Sequence, residues 1–397
     1  MSVTVESEVV KQSWIQRLGS SFKGVLTGLV VFVIGFPVLF WNEGRTVRQA
    51  KALSEGRGAC VEVESNSAVN SANEDKLVHM TGKADTHDML VDAQFGVRLT
   101  GIKLNRKVEM YQWEEESHTT TEKRGDKEVK KTTYTCKQVW SDHVIDSTQF
   151  HDDPAQHANP SAMEFSSEKQ QAKQVSFGAF QLTEAQINRM GKAQAYVLPS
   201  NYVCAIARAQ VMNNVIYVPN AETRNNPLNN RKVAEMPRVG DLRVTYTCVM
   251  PHEISIVAKQ SGASFGIYKA KNGNTVDLYA DEVKTADEMF ASAESANSTM
   301  AWILRFVGFL LMFVGMKMVL GPIATLVDVI PVVRSVVSAG VSFIAFIIAA
   351  ACALVTIGIA WVFYRPLLGG ALIAVAVGLL IFAKTRKASK PQTEIAA

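Results

Sequence analysis

The sequence predicts an integral membrane protein with four transmembrane α-helices, one N-terminal and three C-terminal, plus a large β-rich α+β extramembrane domain. Three observations predict this class. Apolar runs cover residues 24–41, 302–320, 336–364 and 366–383. Residues 42–300, between the first run and the second, are polar and soluble-looking. Much of that block consists of strand-forming stretches bounded by turn residues.

Residues 1–23 carry Lys11, Arg17 and Lys23 and read as a cytoplasmic N-terminus. The run 24–41 is just long enough to cross a hydrocarbon core of about 30 Å at about 1.5 Å per residue, with Trp41 at the interface. Glu6 and Glu8 dilute the basic start of a signal peptide, and no small-x-small cleavage pattern follows Trp41, so the run reads as a retained anchor.

Within 42–300, strands are expected at 95–113, 128–140, 242–250, 253–259 and 267–269, with Asn272-Gly273 as a turn. Residues 114–127 read as the polar tip of a long hairpin. Its Arg124-Gly125-Asp126 matches an integrin-binding tripeptide, for which turn chemistry is the better account. Residues 164–192 read as partly helical. Residues 221–237, rich in Asn, Arg and Pro, read as an exposed loop, and 280–297 as a helix leading into the second span. No fixed-period repeat is visible.

The second span is placed at 301–320. Arg305 and Lys317 fall inside it, each within about one turn of an end, where snorkelling explains them; a paired intramembrane charge is the sharper alternative. Residues 321–337, interrupted by Asp328, Pro331 and Arg334, read as a cytoplasmic interfacial loop. Spans at 338–363 and 366–383 and a basic cytoplasmic tail at 384–397 complete the chain. Both termini are then cytoplasmic and the domain lumenal or periplasmic.

Net charge is +4, but residues 301–397 hold eight basic side chains against Asp328 and Glu394. The central block is balanced, so nucleic acid is not an expected ligand. Of five cysteines, Cys60, Cys136, Cys204 and Cys248 lie in the domain and Cys352 in the third span, none in a Cys-x-x-Cys spacing. Two disulfides or four buried thiols both fit.

Chemistry is sparse. Gly262-Ala263-Ser264-Phe265-Gly266 matches the nucleophile elbow, but that chemistry needs a strand, a sharp turn and then a helix, whereas the following residues read as strand. A hydrolase at Ser264 is therefore not expected. His151-Asp152-Asp153-Pro154-Ala155-Gln156-His157 gathers potential metal ligands, but the prolines in and beside it favour a solvated loop. There is no phosphate loop, dinucleotide fingerprint or His-Glu-x-x-His, and four spans without paired broken helices do not make a transporter. No catalytic residue, cofactor or metal is assigned.

The chain resembles the LUMA family (transmembrane protein 43) over about residues 40–386. The resemblance is carried by Trp41-Asn42-Glu43-Gly44-Arg45, Arg106-Lys107-Val108-Glu109-Met110-Tyr111-Gln112-Trp113, Asn159-Pro160-Ser161-Ala162-Met163 and Val239-Gly240-Asp241-Leu242-Arg243-Val244. In the membrane block it is carried by Thr325-Leu326-Val327-Asp328, Pro331-Val332 and Trp361-Val362-Phe363-Tyr364-Arg365-Pro366-Leu367. The resemblance implies a self-associating, non-enzymatic membrane scaffold of the endoplasmic reticulum and inner nuclear membrane, with a lumenal domain and nuclear-envelope partners such as emerin and lamins. In a bacterial setting it implies an inner-membrane protein without those partners. Membrane lipids are expected neighbours in either case.

The candidate structural and interaction residues are Asn42, Glu43, Gly44, Arg45, Tyr111, Trp113, Asp328, Pro331, Tyr364, Arg365 and Pro366. Gly44 is expected to let the chain leave the first helix sharply, with Asn42 capping its carbonyls. Tyr364-Arg365-Pro366 should turn the chain between two spans. Tyr111 and Trp113 share one strand face, available to a core or to a subunit contact. The competing functional class is a membrane-tethered enzyme or lipid-handling protein with a pocket at the domain–bilayer boundary.

Overall fold

The strand-rich middle of the chain folds around two sheets, while the apolar runs belong to long helices. The computed structural model describes residues 2–9, 14–64, 68–124, 127–153, 155–226, 231–326, 331–367, 369–371 and 374. These fall into a β-rich unit (within 1–11, 60–268 and 277–289) and a helical unit (within 12–59, 269–276 and 290–397).

In the β-rich unit, β1 (Ser2–Val9), β2 (Leu77–Asp85), β3 (Lys103–Arg124), β4 (Lys127–Ser141), β5 (Leu242–Val249) and β6 (His252–Ser261) are the principal strands. The larger sheet runs β1-β4-β3-β5 and continues into Val215–Val218 and Gln210–Met212. Alternation in β5 sends Leu242, Val244, Tyr246 and Cys248 inward, where the first three join Phe95, Leu104, Val108 and Ile216 in one core. The second sheet centres on antiparallel β2 and β6, with Ile256 opposite Met80 and Ile254 opposite Gly82. Its core gathers Val78, Met80, Phe177, Phe180, Ile254, Ile256 and Phe265.

The expected strands at 128–140, 242–250 and 253–259 are present. The expected hairpin is present, but most of its expected tip is strand. β3 and β4 stay in register from Met110↔Ser141 to Arg124↔Lys127, so 114–124 are strand; 125–126 lie outside the described residues. Threonines and charged residues can alternate along strands whose faces are solvated, as at the exposed 116–120, which is why composition alone read as loop. Residues 2–9, expected as part of a cytoplasmic N-terminus across the bilayer from the domain, instead pair antiparallel with β4 of that domain from Ser2↔Thr135 to Val9↔Glu128, which a single crossing of the bilayer by residues 24–41 does not allow.

Residues 221–237 also differ from the expected exposed loop. Ala221–Asn225 is a short helix capped by Asn220, Val233 is fully buried, and Arg231 is drawn inward by Asp241.

Among the described residues, three helices are long and apolar enough to cross a membrane: stretches Gly24–Ala59, Ala286–Val319 and Ala339–Tyr364. They belong to α1 (Trp14–Ala59), α2 (Ala286–Val319) and α3 (Pro331–Tyr364). A short helix, Gly321–Leu326, follows α2. Most of the expected fourth span lies outside the described residues, as does Asp328; the described part of 366–374 is helical. At 46 residues, α1 rises about 69 Å, more than twice a hydrocarbon core. Asn42, Glu43 and Gly44 therefore do not end the helix. The chain continues helically to Ala59 because their side chains, or lack of one, are used against neighbouring helices.

Candidate functional site

Buried positions on α1 recur at Gly28, Gly35, Leu39, Asn42 and Thr46, and on α2 at Asn297, Ala301, Gly308, Met312 and Gly315. The two stripes meet antiparallel. A Cβ on Gly28 would lie 2.7 Å from the Gly315 carbonyl oxygen, and one on Gly315 would lie 2.4 Å from the Phe32 nitrogen. Seven residues along each helix, Gly35 faces Met312 and the Gly308 carbonyl, while Gly308 faces Leu39. Small residues at this spacing let backbones approach where apolar burial alone gives no drive to associate in lipid.

Where the glycine seam ends, a polar one begins. Glu43, with no solvent exposure, accepts from Arg305 Nε (2.6 Å to Oε1) and Nη2 (3.0 Å to Oε2), and from Trp361 Nε1 (2.8 Å to Oε2). Three helices thus converge on one carboxylate. The intramembrane pair, not snorkelling alone, accounts for Arg305; Lys317, near the end of α2, is exposed. Removing either charge from such a pair strands the other, which is why the fork geometry of Arg suits the position.

One turn on, Asn42 Nδ2 donates to the Ala301 carbonyl (3.0 Å), and Asn297 Nδ2 donates to the Thr46 carbonyl (3.0 Å). Arg45 Nη1 donates to Asn297 Oδ1 (3.2 Å). Gly44 exists for Tyr364, whose ring would lie 2.6 Å from a Cβ there. Tyr364 also packs on Phe40, with centroids 5.3 Å apart. Arg365 turns back over the Trp361 ring at 5.9 Å, and Pro366 beside it is exposed. Pro331 opens α3.

Tyr111 and Trp113 belong to a second construction, in the β-rich unit. Both are half-buried, while Gln112 between them is fully buried and exchanges hydrogen bonds with the His143 carbonyl and the Ile145 N–H. Tyr111 packs on Trp140 (5.1 Å), and Trp113 meets His157 edge-on (4.6 Å). Around this strand the separate motifs of the chain come together. The Trp113 N–H donates to Asn159 Oδ1, and Asn159 Nδ2 donates back to the Trp113 carbonyl (both 2.8 Å). The Tyr111 N–H donates to the Asp241 carbonyl (2.8 Å), and the Gly240 N–H donates to the Tyr111 carbonyl (2.9 Å). Gly240 has φ +88°, and a Cβ there would meet Asn220 and Pro160 at 3.3 Å. The buried Asp241 carboxylate accepts from Arg231 Nη1 and Nη2 at 2.6 and 2.8 Å.

Ser264 lies in strand Ser264–Gly266 and its hydroxyl donates to the Gln181 carbonyl (2.8 Å), with no helix following it. All five cysteines are unpaired thiols; burial, helped by Glu62, pushes Cys60 up to about 12. A cleft of about 450 Å³ lined by Met110, Pro160, Met163 and Asn220 lies beside the motif cluster, without a nucleophile–base pair.

The candidate residues read from the sequence include Asn42, Glu43, Gly44, Arg45 and Tyr364 but not their partners Asn297 and Ala301, and Trp361 stands there only within the motif Trp361–Leu367. The heptad spacing of Gly28/Gly35 and Gly308/Gly315 was the available signal for that seam.

Residues 110–366 match the family model described as Transmembrane protein 43. The chain is 32% identical to mouse Transmembrane protein 43 over 402 residues, covering 98% of this chain and 96% of the relative. It is 33% identical to the human protein of that name, covering 95% and 93%. A Drosophila melanogaster protein named Transmembrane protein 43 homolog is 27% identical, covering 90% and 93%. No solved structure matches the chain.

Proposed function

Because this chain belongs to the transmembrane protein 43 family, we propose that it is a non-enzymatic membrane scaffold that self-associates and organises membrane-protein complexes. In a eukaryotic cell its place is the endoplasmic reticulum and inner nuclear membrane, with the β-rich domain in the lumen. Emerin- and lamin-type nuclear-envelope proteins are its partners there by family resemblance; in a bacterium the place is the inner membrane.

The observation that carries this reading is the seam on Glu43. Glu43 of α1 and Arg305 of α2 are spent on each other, and the Trp361 indole N–H of α3 donates to the same carboxylate, as in a fixed helix bundle. The long helices α1 and α2 continue out of the apolar runs without a break, which suits a rigid mount.

The test is cross-linking in native membranes followed by affinity purification of the full chain. Recovery of a cross-linked homo-oligomer together with integral membrane partners supports the scaffold. A chain that stays monomeric and partner-free across cross-linker lengths overturns it.

A further inference from the structure

The β-rich unit contains a buried group of metal-ligating side chains, one of which, His157, is the ring that Trp113 meets edge-on. Cys136 on β4, Asp152 and His157 are each buried, and one ligand atom from each lies within 4.8 Å of the others. Only Asp152 and His157 come from the seven-residue run that reads as a solvated loop; the structure buries those two and leaves His151 and Asp153 exposed. Cys136 comes from a strand and is invisible to any local spacing rule.

We propose that Cys136, Asp152 and His157 form a divalent transition-metal site, with Zn²⁺ as the ion of best chemical fit. Thiolate, imidazole and carboxylate are the ligand types zinc takes, and three protein ligands leave a fourth position for water. Tetrahedral zinc bonds of about 2.0–2.3 Å put ligand atoms about 3.6 Å apart, so shifts of about 1 Å close the site.

Two independent observations point to a ligand. Asp152 Oδ2 is buried without a hydrogen-bond partner among the described residues, a costly state for a carboxylate that a cation relieves. The His157 Nδ1 atom lies 3.2 Å from the Asp153 carbonyl, so an N–H donated there leaves Nε2 with its lone pair; metal-binding imidazoles are oriented in this way.

The loop is also held in place from below. Glu115, opposite Cys136 in the β3–β4 register, accepts from the His151 N–H (2.7 Å) and the Asp152 N–H (3.0 Å). The His151 ring stacks on Tyr134, with centroids 3.9 Å apart. Binding would replace the Cys136 thiol proton by the metal, releasing it to solvent, and would staple the 151–157 loop to the hairpin.

The test uses the full chain in detergent, stripped with chelator and reloaded with Zn²⁺ or Co²⁺ alone. One Zn²⁺ per chain is expected by elemental analysis, with affinity about tenfold or more weaker in Cys136→Ser and His157→Gln. The Co²⁺-loaded chain should show thiolate-to-metal charge-transfer absorption in the parent and in Cys60→Ser, but not in Cys136→Ser. Should Cys136→Ser not fold, Asp152→Asn and the parent Co²⁺ spectrum decide the matter. Failure of the folded parent to retain Zn²⁺, unchanged retention in the variants, or a Co²⁺ spectrum without a thiolate band would overturn the site.

Discussion

Arg305 grips the Glu43 carboxylate at both oxygens, across 262 residues of sequence and between two helices that run in opposite directions. Glu43 has no solvent exposure, and its second oxygen also takes the Trp361 indole N–H. Losing one partner leaves an uncompensated buried charge, a loss of about 3–5 kcal/mol. Glu43→Gln and Arg305→Met should each lower the melting temperature in detergent substantially. The double variant Glu43→Gln/Arg305→Met should lose less than the sum of the singles. Single variants that melt with the parent would refute the seam.

Glycine substitutions separate close approach from mere helix propensity. Gly315→Ala places a Cβ 2.4 Å from the Phe32 backbone nitrogen, which cannot swing aside, and should cost about 1–3 kcal/mol. Gly340→Ala meets nothing within 4 Å and should be neutral or gain up to about 1 kcal/mol. Thermal unfolding of the two variants side by side checks the contrast.

Asp241 and Arg231 tie the motif cluster around Tyr111 together, their side chains almost wholly buried. Asp241→Asn strands the guanidinium and should destabilise the β-rich unit by about 3–5 kcal/mol. Hydrogen exchange should show faster opening at the Tyr111 and Gly240 amides first, since both bond within this cluster. Equal protection in variant and parent would contradict that role.

Asp281 gives the domain an acid-side pH dependence. Burial alone would raise its pKa, but hydrogen bonds from the Tyr279 hydroxyl, His252 and the Gly191 N–H outweigh burial and hold it below the ordinary value. A folded pKa below the unfolded one means stability fully present above about pH 4 and lost as pH falls through the folded value. Asp281→Asn should flatten this part of the stability–pH profile, measured by unfolding between neutral pH and about pH 3.

Topology can be read from sealed vesicles. With residues 24–41 in the bilayer and the domain lumenal, protease on the cytosolic side should remove an N-terminal tag and spare the domain. The edge of β4 at 128–135 would then be without its β1 partner. Protection of the tag together with the domain would instead keep residues 2–9 paired with β4, as their register has them.

Periodicity made much of this legible. The membrane class, the strands at 242–250 and 253–259 and the helix entering the second span follow from local patterns, because burial on one strand or helix face leaves a mark every two or 3.6 residues. The hairpin tip was misread for a physical reason: strands of threonines and charges with solvated faces have no apolar face to betray them. The sharp exit at Gly44 was misread because glycine serves equally for a turn and for a close contact. Which of these applied depended on Tyr364, 320 residues away.

By itself, then, the sequence determined that this is a membrane protein with a large β-rich domain, and it pointed to Asn42, Glu43, Gly44, Arg45 and Tyr364. Composition and period are local properties, and partitioning into lipid depends on little else. Only the tertiary structure decided that Glu43 is spent on Arg305 and Trp361, that Gly28 meets Gly315, and that Cys136 joins Asp152 and His157. Those pairings depend on which distant segments are brought within a few ångströms, and hydrogen bonds, ion pairs and metal ligation act only at that range.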